Sequence, residues 1–407
     1  KILALHDISD GGMVTSLIEM MFAGNCGLKI KLDYALDDLK KNLFSEEPGL
    51  ILQLSNESYE ELLDFLKDIS FTKISKVGET ISETKLILEA LDYKDQFSFK
   101  ELMTNWSKVS ISIKKLRDNP LDAEQEEKSY LDKETNILKQ HINFLIPKRI
   151  DNFSKPSLAV IREQGVNGHT EMAAAFSTAG FEVTDIHMND LLSQKFNLKD
   201  FQGIIFPGGF SFGDVLGAGK GWANFILNNS LLKNQFEEFF SKKESFSLGV
   251  CNGCQVLSNL KEIIPGTDNW PKLKNNSSGQ FEARLTQIKI FKSNSLLFDD
   301  MENSQLLVPV AHGEGKMIFS HPEKVSKNNQ LVMSYVDTAG NETESYPGNP
   351  NGSEKGITGI CSEDGKVTIM MPHPERAFLN AQLSWTDLGD EGFSPWIKMF
   401  HNARKYF

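Results

Sequence analysis

Read by the spacing of its apolar positions, the chain falls into three stretches. Ile2 to Leu5 make a short apolar run, followed by His-Asp-Ile-Ser-Asp-Gly-Gly and then by Met13, Val14, Leu17, Ile18 and Met21 at helical spacing. This predicts a strand, an acid-bearing turn and a helix. The strand reads as buried, and neither an initiator Met nor a charged-then-apolar leader precedes it, so the chain is expected to begin inside a domain. Leu50 to Leu54 and Lys85 to Leu88 predict further strands, flanking a helix from Glu57 to Ile69. Ser98 with Glu101 three residues on is a capping-box pattern. Leu102, Trp106, Val109, Ile113 and Leu116 then continue at helical spacing until Arg-Asp-Asn-Pro stops the helix. A mixed α+β domain over 1–117 follows from these patterns.

From 118 to 156 apolar residues thin out and charge rises, as in Asp-Ala-Glu-Gln-Glu-Glu-Lys, which predicts a connector laid over a surface. From 157 to 407 the pattern becomes short apolar strands (Leu158 to Ile161, Val183 to His187, Gly203 to Phe206) alternating with helices near Glu171 to Ala179 and Trp222 to Phe240. Such alternation predicts an α/β domain with a doubly wound, mostly parallel sheet. After Gln280 strand-like runs dominate, at 281–291, 306–310, 331–336 and 367–371, before a last helix from Pro395 to Tyr406.

Composition narrows the classes. A length of 407 residues fits two or three domains. Fifty-five acidic against 43 basic residues give a net charge of -12, which repels a phosphate backbone and argues against a nucleic-acid partner. No run approaches the roughly 18 apolar residues of a membrane span. Four cysteines, Cys26, Cys251, Cys254 and Cys361, are too few for a disulfide framework and point to a reducing, cytoplasmic setting.

The sharpest local signal is Ser-Leu-Gly-Val-Cys-Asn-Gly-Cys-Gln-Val-Leu (247–257): a strand, then Gly-x-Cys-x-Gly, then a helix. It has the form of a nucleophile elbow with Cys251 as the nucleophile, at a helix N-terminus whose dipole and free N–H groups attract negative charge. Cys254, three residues into the helix, reads as inward packing. A base is supplied by Met-Pro-His-Pro-Glu-Arg, where a strand delivers His373 and Glu375 holds one imidazole nitrogen. Pro-Gly-Gly-Phe (207–210) after a strand suits an oxyanion site, with N–H groups of Gly209 and Phe210 acting beside that of Asn252. The same region fails as a phosphate loop, because Asp214 stands where the first Gly belongs and Gly221 where Ser or Thr should follow Lys220.

Cys elbow, Pro-Gly-Gly loop and strand-end His-Pro-Glu, in this order, resemble a class I glutamine amidotransferase, which implies a flavodoxin-like sheet. Arg-Glu-Gln-Gly-Val-Asn-Gly-His-Thr-Glu-Met-Ala (162–173), Gly-Gly-Phe-Ser-Phe-Gly-Asp (208–214) and Ala-His-Gly-Glu-Gly-Lys (311–316) narrow the resemblance to the phosphoribosylformylglycinamidine synthase family. His-Asp-Ile-Ser-Asp-Gly-Gly resembles the second synthase half of that family's large single-chain form. The resemblance implies a Cys251, His373, Glu375 triad and a glutamine pocket lined by Gln255, His312 and Glu314. It implies a carbon–nitrogen ligase with glutamine as amido-nitrogen donor, monomeric at full length. ATP and magnesium serve a synthase site that acts on formylglycinamide ribonucleotide, and the glutaminase half-reaction needs neither. Asp7, Asp10, Glu46 and Glu47 resemble nucleotide- or metal-facing acids of the synthase fold, with exposed charge beside a strand as the equal alternative; the identity of any metal ligand stays open. Phe212 departs from the family's expected Tyr, and Asn167 and Glu171 match its motif.

Two other classes remain for test. A cysteine peptidase on a similar elbow would cleave peptides and ignore glutamine; a non-catalytic interaction module would leave Cys251 no more reactive than the other thiols.

Overall fold

The computed structural model describes residues 2–67, 74–131, 138–148 and 155–407. They form two compact units, Lys1–Ile113 and Lys114–Phe407.

The first unit runs β1 (Ile2–Asp7), α1 (Gly12–Ala23), β2 (Gly27–Lys31), α2 (Leu36–Leu43), β3 (Leu50–Leu54), α3 (Asn56–Leu66), β4 (Gly78–Ile81), β5 (Lys85–Glu89), β6 (Lys94–Ser98) and α4 (Phe99–Arg117), the last crossing the boundary between units. The end of the helix expected over 57–69 lies outside the described residues. β1 pairs antiparallel with β3, and β4, β2, β5 and β6 form a second sheet in that order. Gly12, the first residue of α1, is required by a close approach: it has φ 76°, and a Cβ there would lie 2.6 Å from the Phe44 carbonyl carbon. Met21, Ile30, Leu39, Leu43 and Leu86 make the core.

Two expectations for this unit fail. Ile2, Leu3 and Leu5 are exposed rather than buried, because β1 pairs only with β3 among the described residues and the described elements of the chain leave these side chains uncovered. Ser98 does cap α4, its Oγ accepting the Glu101 N–H at 3.1 Å, but the stripe of Trp106, Val109, Ile113 and Leu116 is exposed and Ile111 is the buried position.

The second unit opens with α5 (Pro120–Leu131), a helix where the charge pattern suggested a connector. Asn119 caps it, with Oδ1 taking the Leu121 N–H at 3.0 Å and Pro120 at the first helical position. Two of its acids are paired: Glu126 takes Lys114 Nζ at 2.6 Å and the Tyr130 hydroxyl at 2.7 Å, and Glu127 takes Lys115 Nζ at 2.7 Å. Asn119 also donates, from its N–H to the Ser278 carbonyl and from Nδ2 to the Ser277 carbonyl.

There follow β7 (Ser157–Arg162), α6 (His169–Thr178), β8 (Glu182–His187), α7 (Met188–Leu192), β9 (Gly203–Phe206), α8 (Lys220–Leu227), α9 (Ser230–Ser241), β10 (Phe246–Val250) and α10 (Asn252–Asn259). The chain continues through β11 (Lys272–Lys274), β12 (Glu282–Ile290), β13 (Gln305–His312), β14 (Lys316–Ile318), α11 (Pro322–Lys327), β15 (Leu331–Tyr335), β16 (Ile357–Cys361), β17 (Val367–Met370) and α12 (Ile397–Lys405). Nine strands form one sheet in the order β13-β12-β15-β16-β17-β10-β9-β7-β8. From β17 to β8 all neighbours are parallel, and the order β8-β7-β9-β10-β17 is that of a flavodoxin-like sheet. The remaining pairs, from β13 across to β17, are antiparallel. Parallel strands buried on both faces explain the unbroken apolar runs of β7, β9 and β10. Loops that leave their carboxyl ends lie where α/β sheets carry ligand sites.

Candidate active site

β10 ends at Val250, and Cys251 turns the chain into α10 with φ 52° and ψ -107°. A non-glycine residue held there stores about 1–3 kcal/mol of strain, maintained by its surroundings. The Cys251 N–H bonds the Met370 carbonyl at 2.9 Å, and its carbonyl accepts the Gln255 N–H at 3.1 Å. The flanking glycines are dictated by contact: a Cβ on Gly253 would meet the Phe206 carbonyl oxygen at 1.8 Å, and one on Gly249 the Gly253 carbonyl oxygen at 2.6 Å. The thiol is buried, with Sγ 3.4 Å from the Ala311 carbonyl.

β17 delivers His373, whose N–H is fixed on the Pro309 carbonyl at 2.9 Å. Its Nδ1 lies 2.6 Å from Glu375 Oε1, both side chains fully enclosed, while Nε2 has no hydrogen-bond partner among the described residues. Burial works against the imidazolium, but the Glu375 carboxylate and the Cys251 sulfur outweigh it and push the pKa up to about 10. Gly208 sits against both groups, since a Cβ there would lie 2.7 Å from His373 Cε1 and 3.5 Å from Cys251 Cβ. Cys251, His373 and Glu375 are thus brought together. Arg376 lies 3.9 Å from Glu375 and 3.6 Å from Glu171, so Glu171 braces the far side of the turn.

The expected oxyanion donors need one correction. Phe210 donates its N–H to the Gly165 carbonyl at 2.8 Å, and so has none to offer an oxyanion. Together with the bond from Asn167 N–H to the Gly208 carbonyl at 3.2 Å, it closes the bridge of Val166 and Gly209 and leaves the Gly209 N–H without a backbone partner among the described residues. Gly209 and the Asn252 N–H in the first turn of α10 remain as donors. A Cβ at Gly209 would stand 2.6 Å from Val166 Cα, so only glycine fits this crossing.

Asn252 and Gln255 have fully structural side-chain bonds. Ser211 N–H donates to Asn252 Oδ1 at 3.2 Å, Asn252 Nδ2 to Gln255 Oε1 at 3.0 Å, and Gln255 Nε2 to the Glu314 carbonyl at 2.7 Å. This relay stitches the Gly-Gly loop, α10 and the end of β13 into one wall. Phe212, in place of the expected Tyr, packs against Phe225 with ring centroids 6.4 Å apart.

A cavity of about 240 Å³ opens onto Cys251, with Gly209, Phe210, Gln255, Gln280, His312 and Glu314 in its walls. Asp214, passed over in the sequence except as a mismatch to a phosphate loop, lines it too. His312 is buried, and desolvation and the nearby His373 lower its pKa to about 3, so it is neutral at physiological pH. Cys254 is enclosed behind the nucleophile, and burial, then the Cys251 charge, raise its pKa well above that of an ordinary thiol.

In the first unit, Asp7 ends β1 beside His6, and Asp10 lies in the turn before α1, where Glu46 accepts the Gly11 N–H at 3.0 Å. Among the described residues no group of three His, Cys, Asp or Glu side chains is placed to hold a metal ion.

Known proteins share both halves of this arrangement. Residues 1–90 match the C-terminal domain of AIR synthase related proteins, and residues 155–407 match the CobB/CobQ-like glutamine amidotransferase domain. Among solved structures, PurLQS from Thermotoga maritima is 26% identical with a TM-score of 0.48, covering 62% of this chain and 99% of its own. A GMP synthase component from Thermoplasma acidophilum is 13% identical with a TM-score of 0.38, covering 63% and 95%. A glutamine amidotransferase from Thermotoga maritima is 18% identical with a TM-score of 0.35, covering 55% and 77%. With more than half its length matched to that one domain, the chain belongs to the CobB/CobQ-like glutamine amidotransferase family.

Proposed function

We propose that this chain is the glutaminase-bearing part of a phosphoribosylformylglycinamidine synthase. It hydrolyses glutamine through a thioester on Cys251 and passes ammonia to an ATP-dependent site that converts formylglycinamide ribonucleotide to formylglycinamidine ribonucleotide, in the cytoplasm. The observation that carries the glutaminase reading is the enclosed 2.6 Å bond of His373 to Glu375 beside the strained Cys251. The synthase reading is supported by an AIR synthase related segment preceding the glutaminase domain in one chain.

Cys251 Sγ attacks the side-chain amide carbon, and the oxygen's developing charge is met by the N–H groups of Gly209 and Asn252. The His373 imidazolium, stabilised by Glu375, gives its Nε2 proton to the departing amide nitrogen, which leaves as ammonia. Neutral His373 then takes a proton from water as the water attacks the thioester; glutamate departs and the thiolate–imidazolium pair is restored. ATP and magnesium would supply phosphoryl activation at the synthase site, and no step at Cys251 involves them.

Glutamate release, measured with this chain alone and with a complementing synthase portion, ATP and formylglycinamide ribonucleotide, tests the proposal. A rise in glutamine turnover with the additions, and formation of the amidine product, is expected. Peptide cleavage without glutamine hydrolysis would replace the reading with a cysteine peptidase.

A further inference from the structure

β13 passes both members of the Cys251–His373 pair: its Pro309 carbonyl holds the His373 N–H at 2.9 Å, and its Ala311 carbonyl faces Cys251 Sγ at 3.4 Å. His312 comes next and ends the strand, 1% exposed. Gly315 packs against its ring, since a Cβ there would lie 2.6 Å from both Cε1 and Nδ1. At 3.1 Å from Nδ1 stands Oδ1 of Asn276, a residue that is itself 3% exposed and belongs neither to the elbow nor to the histidine turn.

The contacts of Asn276 leave its amide a single orientation. Nδ2 donates to the carbonyls of His312 at 2.7 Å and Gln280 at 2.9 Å, and Oδ1 accepts the Gly315 N–H at 3.0 Å. Turning the amide over would set its oxygen against two carbonyls and its amino group against an N–H. The backbone of Asn276 is tied as well, its N–H to the Gly313 carbonyl at 2.9 Å and its carbonyl to the Gly279 N–H at 3.0 Å. With an acceptor fixed in front of it, His312 Nδ1 must carry a proton. Burial and the positive charge of His373 oppose a second one, so Nε2 is left a bare lone pair, with no partner among the described residues.

We propose that Asn276 is a positioning residue for glutamine hydrolysis, holding His312 as the neutral Nδ1–H tautomer so that this imidazole brings neither a positive charge nor an Nε2 proton to the Cys251–His373 pair. This rests on the glutaminase reading and goes beyond it by giving a buried loop residue a task in the reaction. A charged His312 would oppose the His373 imidazolium on which the thiolate depends. An Nε2–H would be a buried donor without an acceptor among the described residues, and a second proton source beside the one that must reach the departing amide nitrogen. Asn276 acts through His312 and not on the reacting atoms.

The test reads the tautomer directly, from long-range proton–nitrogen correlation spectra of the full chain carrying isotopically labelled histidine, with H312Q identifying the His312 signals. The parent should show a neutral ring protonated at Nδ1. N276A, which removes the acceptor, should populate the Nε2–H form, whereas N276D, which loses the two amide donors but keeps an acceptor, should retain the proton on Nδ1. A merely structural role would leave the tautomer unmoved in N276A. In the same N276A protein, kcat for glutamine, measured with the complementing synthase portion, should fall about tenfold, the scale of one misplaced hydrogen bond. A parent whose His312 is protonated at Nε2 would overturn the proposal without any variant. So would an unchanged tautomer in folded N276A, or a changed tautomer with kcat within twofold of the parent. A parent with the Nδ1–H ring that hydrolyses no glutamine would overturn the glutaminase reading, and the task in hydrolysis with it, while leaving the tautomer assignment in place.

Discussion

Gly208→Ala is a perturbation whose whole burden falls on the chemistry. A Cβ at this position would lie 2.7 Å from His373 Cε1, 3.4 Å from Nδ1 and 3.5 Å from Cys251 Cβ, the three nearest atoms. Ordinary contact begins near 3.4 Å, so the imidazole must retreat by about 0.7 Å. The backbone of Gly208 cannot yield easily instead, because its carbonyl accepts two N–H groups, from Asn167 at 3.2 Å and Gly168 at 3.0 Å. Retreat draws the ring from Cys251 and misaligns its bond to Glu375. A misplacement of about 1 Å at reacting groups costs on the order of 10²-fold in rate, so kcat for glutamine should fall about 50-fold, ~2.3 kcal/mol in the barrier. Stability should change little: Gly208 does not occupy a positive φ, and alanine restricts the unfolded chain by about 0.4–1 kcal/mol, offsetting the local crowding. Glutamate release under saturating glutamine, read beside the thermal midpoint, decides it. A variant that folds normally and keeps kcat within twofold of the parent would refute the placement of His373 as the acting base.

A glutamine-like electrophile should label Cys251 and spare Cys254 and Cys361, whose burial raises their thiol pKa values; peptide mapping that finds the label chiefly elsewhere removes Cys251 as nucleophile. Glu375→Gln should lower the titration of His373 from about 10, because Glu375 is the larger of the two charges that hold it up against burial. In the parent, the stability lent by the charged imidazole is present below the ordinary histidine range near 6.5 and lost as pH rises through about 10. The variant should lose it earlier on the pH scale, and an unchanged midpoint in the pH profile of Cys251 alkylation would contradict this. Gly253→Ala should cost several kcal/mol of stability by pressing a methyl onto the Phe206 carbonyl, in contrast to Gly208→Ala; a thermal midpoint near the parent's would contradict it.

The grouping of Cys251, His373 and Glu375 was legible in the sequence because each half is local. Gly-x-Cys-x-Gly encodes its own turn through glycines that neighbouring backbone forces, and His373 and Glu375 stand two residues apart on one proline-braced loop. What was not legible depends on partners far along the chain. The carbonyl that takes the Phe210 N–H belongs to Gly165, and no motif near Phe210 reports that competitor. Asp214 enters the cavity through a left-handed turn, a conformation that glycine advertises in sequence and aspartate does not. Asn119-Pro120 was read as the stop of one helix, although the same pair caps and starts the next, and two of the acids that suggested a surface connector, Glu126 and Glu127, find Lys114, Lys115 and Tyr130. On α4, spacing identified an apolar stripe correctly but not whether anything in this chain would cover it.

The bonds of Asn119 bear on where this glutaminase can be cut. The sequence family begins at residue 155, whereas the compact unit begins at Lys114. Between them, Asn119 grips the carbonyls of Ser277 and Ser278, next to the Asn276 that orients His312 and just before the Gln280 and Phe281 that wall the cavity. A protein trimmed to the family boundary would keep Cys251, His373 and Glu375 but lose the clamp on the loop opposite them. Its thiol should react as in the parent while its hold on glutamine slackens, whereas a protein starting at 114 should keep both. The segment ahead of the domain is in this sense the pocket's outer scaffold, and the functional edge of the glutaminase lies well upstream of the edge its family shares.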